Sequence, residues 1–291
     1  TYDQGYYTCS NCNKNKVSLI QTLETGQKLR EKWIAIEYWC DACENRLYKS
    51  PDDVDLAKMR RIEDTVEAVQ GDMIFPKQRI LEGDSSVRWR RHNYQYYHEV
   101  FNARQLLAFN DLIEGIKEIP EAEYRNAFFT VFSNSLEYNN MMTPYNYPHR
   151  KLHHLFNYHA MPLTTTPVEN AVWGVGQEGA GTFTNCYRRY VRAKEYCHKP
   201  YDKFKNDNSV HTVWAKSEKI SATFVSSFEE LKQTPRGALL LCGDSAHLPE
   251  IPDKSVDFVI TDPPYFDSIH YSELSNFFYV WLNALIDHPY F

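Results

Sequence analysis

The sequence predicts an α/β chain in three parts: a small cysteine-knuckle ribbon over residues 1–50, a mainly helical middle region over residues 51–218, and part of a parallel-sheet domain over residues 219–291. Three observations carry that reading. Residues 238–242 and 256–261 are continuous apolar runs joined by 13 residues, the pattern of strands buried on both faces of a parallel sheet. "FNARQLLAFNDLIEGIKEI" and "EAEYRNAFFTVFSNSLEY" repeat apolar residues at helical spacing on either side of Pro120. Four of the seven cysteines form two Cys-x-x-Cys pairs separated by 27 residues.

Composition bounds the function classes. With 291 residues, 43% of them hydrophobic, the chain buries a core of its own. No apolar run approaches the roughly 18–20 residues that span a bilayer, and "TYDQGYYTCSNC" has no signal-peptide core, so a cytoplasmic protein without a membrane partner is expected. The formal net charge of −6 excludes a uniformly basic coat, and nucleic-acid contact must come from local patches.

In the first part, Cys9 and Cys12 form one pair and Cys40 and Cys43 the other. Two thiolates three positions apart sit on one tight turn and grip a single tetrahedral ion. Two such pairs supply four sulfur ligands with no open position, the donor set of a structural zinc ribbon. "WIAIEYWC" alternates like a strand leading into the second pair. Disulfides compete for the same cysteines but are rare in the cytoplasm. Cys186, Cys197 and Cys242 stand alone and read as lone thiols.

In the middle region, residues 51–70 open with acids and carry mixed charge at helical spacing, a solvated helix. A helical hairpin follows, with Leu106, Phe109, Ile113 and Ile116 on one apolar face and Tyr124, Phe128, Val131 and Phe132 on the other; these aromatics read as core. "VRWRRHNYQYYH" and "CYRRYVRAKEYCHKPYDKFK" mix cations with aromatics, the second holding seven Lys or Arg against two acids. Such stretches suit a nucleic-acid face or, equally, a solvated helix face. His149, His153, His154 and His159 lack the acid or cysteine set of a second metal site and read as packing or surface histidines. Gly174, Gly176, Gly179 and Gly181 lack the buried strand that precedes a nucleotide loop and read as a flexible loop.

In parallel sheets ligands bind beyond the carboxyl ends of strands, where Asp244 and Asp262 stand. Asp262 is followed by Pro263, Pro264 and Tyr265. Two prolines fix the backbone, remove two amide donors and leave carbonyls free, so the segment presents a rigid array of acceptors. The exocyclic amino group of a nucleobase offers two N–H donors, one for the Asp262 carboxylate and one for the Pro263 carbonyl, with the nitrogen lone pair aimed at an electrophile. Tyr265 supplies the face on which a base flipped from the duplex stacks. Carboxylate, carbonyl and ring together describe amino-group methylation, in which the base nitrogen is itself the nucleophile and positioning supplies the rate. Asp267, His270, Tyr271 and Glu273 follow as candidate lining of the base pocket.

"TDPPY" resembles the catalytic signature of amino-group DNA methyltransferases. The longer run "TDPPYFDSIHYSELSNFFYVWL" is similar to the large DNA adenine-methylase-like proteins of the DUF1156 type, in which a zinc ribbon and an "ARQLLAF"-like helix precede the signature, as they do here. The resemblance implies a partial Rossmann-like methyltransferase sheet at the C-terminus, S-adenosylmethionine as methyl donor, DNA as partner, and a restriction or modification setting. It implies adenine N6 as target, since Asp-Pro-Pro-Tyr is commoner there than at cytosine N4. It further implies that Asp262, Pro263, Pro264 and Tyr265 are catalytic and that Asp244 contacts the adenine of the donor. The family's "DPF-x-G-x-G" element, which lies upstream of the ribbon, does not occur in residues 1–291. The expectation is therefore of a piece of a longer protein, completed by its N-terminal part or a partner subunit, that binds S-adenosylmethionine weakly and methylates poorly alone. Two other functions compete: a non-catalytic zinc-ribbon nucleic-acid-binding module with an incomplete methyltransferase half, and a methyltransferase acting on RNA or a protein amide.

Overall fold

A computed structural model of the chain describes residues 2–3, 6–8, 16–28, 31–164, 166–174, 179–206, 209–215, 221–263, 265 and 268–286. Small sheets and helices mix in an α/β architecture of two compact units. One unit gathers the described residues up to Arg188 together with 268–286; the other runs from Arg189 to Tyr265.

The first unit opens with a three-stranded antiparallel sheet of β1 (Tyr2–Asp3), β2 (Tyr6–Thr8) and β3 (Lys16–Ser18), followed by α1 (Leu19–Glu24). β4 (Ile36–Cys40) and β5 (Asn45–Lys49) form a hairpin in which Cys40 opposes Asn45. α2 (Asp53–Val69) begins at a reciprocal cap: the Asp52 carboxylate accepts from the amides of Val54 and Asp55, while Asp55 accepts from the amide of Asp52. Val66 is its buried residue, so the helix is solvated as its charge pattern predicts.

α3 (Val87–Arg91) precedes the predicted hairpin of α4 (Ala103–Lys117) and α5 (Ala122–Leu136). Leu106, Phe109, Ile113 and Ile116 are buried on α4, and Val131 and Phe132 on α5. Tyr124 departs from expectation: in the first turn of α5, beside the connection that Pro120 opens, it remains exposed. Arg104 ties this hairpin to its surroundings. Its guanidinium donates twice to Glu169, at 2.8 and 2.6 Å, and lies 4.4 Å from the Trp33 ring centre. A short pair, β6 (Tyr145–Asn146) and β7 (Lys151–Leu152), follows, and α6 (Phe183–His198) runs from the first unit into the second.

The last helix, α8 (Tyr271–Leu285), follows the "TDPPY" segment in sequence yet packs in the first unit. Trp281 meets Phe101, Phe109 and Phe132 edge to face at centroid distances of 5.4, 5.7 and 5.7 Å, and Phe277 stacks on Phe101 at 5.9 Å. Offset and edge-on geometries are those that aromatic quadrupoles favour, so the α4, α5 and α8 faces interlock through rings.

In the second unit, β8 (Tyr201–Asn206) and β9 (Ser209–Trp214) form an antiparallel ribbon. β10 (Thr223–Val225) and β11 (Gly237–Leu239) pair in parallel with α7 (Phe228–Gln233) between them, a βαβ unit. Of the buried strand predicted at 238–242, Ala238 and Leu239 are in a strand and half-buried, while Leu240, Leu241 and Cys242 adopt none and are exposed. The buried strand predicted at 256–261 is absent: these residues adopt no strand, and Ile260 is 97% exposed. A continuous apolar strand is held only where neighbours pair with it and layers cover both its faces. Among the described residues the parallel sheet is two strands wide.

Near the entry to α4, the His98 ring lies 4.7 Å from Phe75 and its Nδ1–H donates to the Pro76 carbonyl at 2.9 Å. Burial holds its pKa below the ordinary 6.5, with Lys28 and Lys77 adding to the effect and the Pro76 carbonyl and Glu99 opposing it. An unfolded chain therefore takes up this proton first as pH falls. The contribution is fully present above about pH 6.5 and is lost as pH drops from there through the folded value. Denaturant midpoints should fall across that window, and His98→Asn, which keeps a donor but cannot titrate, should flatten the fall.

Candidate functional site

Asp262 and Pro263 lie exposed at the end of the 256–261 run, and Tyr265 is 69% exposed. Pro264 and Asp267 lie outside the described residues. The Asp262 carboxylate and the Tyr265 ring are therefore accessible to solvent. Asp244 follows the carboxyl end of β11 in an Asx turn: its Oδ1 accepts from the Ala246 amide and its carbonyl from the His247 amide, both at 2.9 Å. The turn fixes the carboxylate at the sheet end while leaving the residue exposed.

Residues immediately after the signature divide differently. Glu273, expected to line a base pocket, is engaged in the first unit: its carboxylate accepts from the amides of Ser85 at 3.2 Å and Ser86 at 2.8 Å and approaches His270 Nδ1 at 3.8 Å. Gly83 lies against it, where an added Cβ would overlap the Glu273 carboxylate and force that side chain to shift. Glu273 thus anchors the start of α8 to the turn before α3, a tether that periodicity does not reveal because its partners are backbone amides 187 and 188 positions away. Tyr271 is exposed and His270 half-buried.

Cys40 and Cys43 occupy the turn of the β4–β5 hairpin, where Glu44 adopts φ 49° to close it. The Cys40 thiol is held below its ordinary pKa, chiefly by the Cys43 amide, then by the Cys43 thiol and, more weakly, the Ala42 amide, against a small opposing effect of desolvation and Asp41. Amides directed at a cysteine sulfur on a Cys-x-x-Cys turn favour thiolate, the form that ligates zinc, so this half of the donor set fits a metal knuckle. Cys9 and Cys12 lie outside the described residues, and among the described residues no group of three metal ligands assembles. Zinc assay of the purified chain is expected to give one ion per chain, and Cys43→Ser to abolish stoichiometric loading.

The two cation-rich stretches part company. In "VRWRRHNYQYYH", Trp89 and Tyr97 are core: Trp89 is fully buried, with Nε1 donating to the Pro162 carbonyl at 2.7 Å, and Arg90 pairs with Glu82. The two largest buried aromatics there are spent on packing, and Tyr94 and Tyr96 are half-buried. In the second stretch Tyr187, Tyr196 and Phe204 stay accessible. The histidine cluster is not assembled as a ligand set; His154 Nδ1 sits 2.6 Å from Glu137 Oε1 and His149 bonds Asn146. Gly174, Gly179 and Gly181 precede α6, and among the described residues no strand leads directly into them; Gly176 lies outside the described residues. An open pocket of about 290 Å³ lined by Ala108, Asp111, Leu112, Val172 and Trp173 contains none of the predicted site residues.

Comparison with known proteins returns no matching family model, curated protein or solved structure.

Proposed function

We propose that this chain is the target-base half of an S-adenosylmethionine-dependent DNA methyltransferase that methylates an exocyclic amino group, adenine N6, of a flipped base. On this reading residues 1–50 are a zinc ribbon, residues 219–291 belong to a Rossmann-like sheet, and the chain is of the DNA adenine-methylase-like kind that its "TDPPY" run resembles. The observation that carries it is the exposed acceptor pair of Asp262 and Pro263 beside an accessible Tyr265 ring. The βαβ unit supports it too, because Asp244 stands past the carboxyl end of a parallel strand, where nucleotide ligands bind.

The residues act by position and charge. Tyr265 stacks on the extruded base, and the two amino hydrogens are divided between the Asp262 carboxylate and the Pro263 carbonyl. As the amino nitrogen gains positive charge, the carboxylate stabilises it through a charge-assisted hydrogen bond, and the same oxygen is the nearest acceptor for the proton the nitrogen must lose. S-adenosylmethionine supplies the electrophilic methyl group; Asp244 would hold its adenine end.

Methyl-labelled donor offered in parallel with duplex DNA, RNA and protein is expected to label DNA, slowly. Label confined to RNA or protein would overturn the reading. A second reading, a nucleic-acid-binding module without catalysis, is favoured by the exposure of residues 256–261, and it predicts DNA binding with no label in any substrate.

A further inference from the structure

We propose that the β8–β9 ribbon is a duplex-DNA docking element that enters the major groove. The choice of DNA as occupant rests on the proposed function; the surface itself rests on geometry and charge. Residues 186–214 hold seven Lys or Arg and three acids within a chain of formal net charge −6. Five of the cations lie on α6 and at its end, and in residues 201–214 Lys203 and Lys205 are offset by Asp202 and Asp207, so the ribbon's positive charge is a property of one face rather than of the whole element. Every described residue of both strands is exposed except Tyr201, which is half-buried and meets Tyr196 of α6 edge to face at 5.3 Å, so most of the ribbon is open to solvent.

The pairing register sorts the ribbon into two chemically distinct faces. Tyr201, Lys203 and Lys205 alternate along β8, and their partners Trp214, Thr212 and Val210 share that face. Lys199 Nζ lies 4.7 Å from the Trp214 ring centre and Lys203 Nζ 5.6 Å from that of Tyr201, so the ring pair, itself edge to face at 5.0 Å, seats two of the lysines. Lys203 and Lys205 are two strand residues apart, about 6.8 Å, close to twice the axial phosphate step of about 3.4 Å along one DNA strand. The opposite face carries Asp202, Phe204, Asn206, Ser209, His211 and Val213, with Asp202 at the end nearer α6 and Ser209 Oγ and His211 Nε2 2.8 Å apart toward the other end. A two-stranded ribbon fits a major groove of about 12 Å, with the hydrogen-bonding groups of this face toward the base edges. The lysines of the first face point away from the bases and reach the flanking phosphates past the strand edges on their long stems.

Fluorescence anisotropy of the full chain on a labelled duplex, titrated from low to moderate salt, tests this. Lys203→Ala with Lys205→Ala is expected to weaken binding about tenfold at low salt and to lower the slope of log affinity against log salt by about 2, since each lost phosphate contact removes about 0.9. The control Lys58→Ala with Lys117→Ala, on exposed positions of α2 and α4, should stay within twofold. Equal losses in both pairs, an unchanged slope, or tighter binding to acidic peptide or anionic vesicles than to duplex would overturn the proposal. Ribbon-dependent duplex binding without methyl transfer would keep the ribbon and remove the catalytic reading; methyl transfer with affinity untouched by the ribbon substitutions would do the reverse.

Discussion

Asp262→Ala is expected to lower methyl transfer to duplex DNA by roughly 10²–10³-fold, about 3–4 kcal/mol, the cost of removing one preorganised electrostatic partner of a transition-state charge. DNA affinity should change little, because an exposed carboxylate beside the polyanion contributes no attraction to phosphates. Asp262→Asn separates two parts of the role: its side-chain carbonyl still accepts a hydrogen bond but carries no charge, so it should fall between the wild type and Ala. An Asn variant as fast as wild type would show that orientation, rather than charge, is what this position supplies. Since Asp262 is exposed, the thermal midpoint should be unchanged, and the kinetic loss then reports chemistry alone.

Trp281→Ala is expected to be the most destabilising single truncation, costing about 3–5 kcal/mol. Trp281 is fully buried among Phe101, Phe109 and Phe132, so its removal empties the space where α4, α5 and α8 meet. The indole Nε1 is buried without a hydrogen-bond partner among the described residues. Trp281→Phe therefore loses volume but also relieves a desolvated donor, and should cost less than about half as much as Ala. Urea midpoints at constant m-value measure both. A Phe variant as unstable as Ala would mean that the indole N–H contributes favourably.

What the sequence made legible follows from how local each signal is. The capping acids of α2 and the i, i+3, i+4 faces of α4 and α5 are encoded within a turn or two, and both elements appear where the pattern puts them. Tyr124 shows the limit of periodicity, which gives a face but not where along the helix its cover begins. Trp89 shows another: "VRWRR" is equally the composition of a binding face and of a short helix burying one tryptophan, and only the Pro162 carbonyl decides. The Glu273 tether depends on amides brought near by the whole chain, so no local pattern records it. Apolar content at 256–261 predicts a buried strand that is absent, because strand formation needs partners and cover that content alone does not specify. For the candidate site, the surroundings were not readable: Asp262, Pro263 and Tyr265 stand accessible, while the Glu273 carboxylate is engaged by the Ser85 and Ser86 amides.

The most direct measurement is nucleoside analysis of duplex DNA after incubation with the full chain and methyl-labelled S-adenosylmethionine. The expected product is labelled N6-methyldeoxyadenosine, formed slowly by the wild type and below detection with Asp262→Ala. DNA that remains unlabelled, or label found on a ring carbon rather than an exocyclic nitrogen, would contradict the role assigned to the Asp262, Pro263 and Tyr265 acceptor corner.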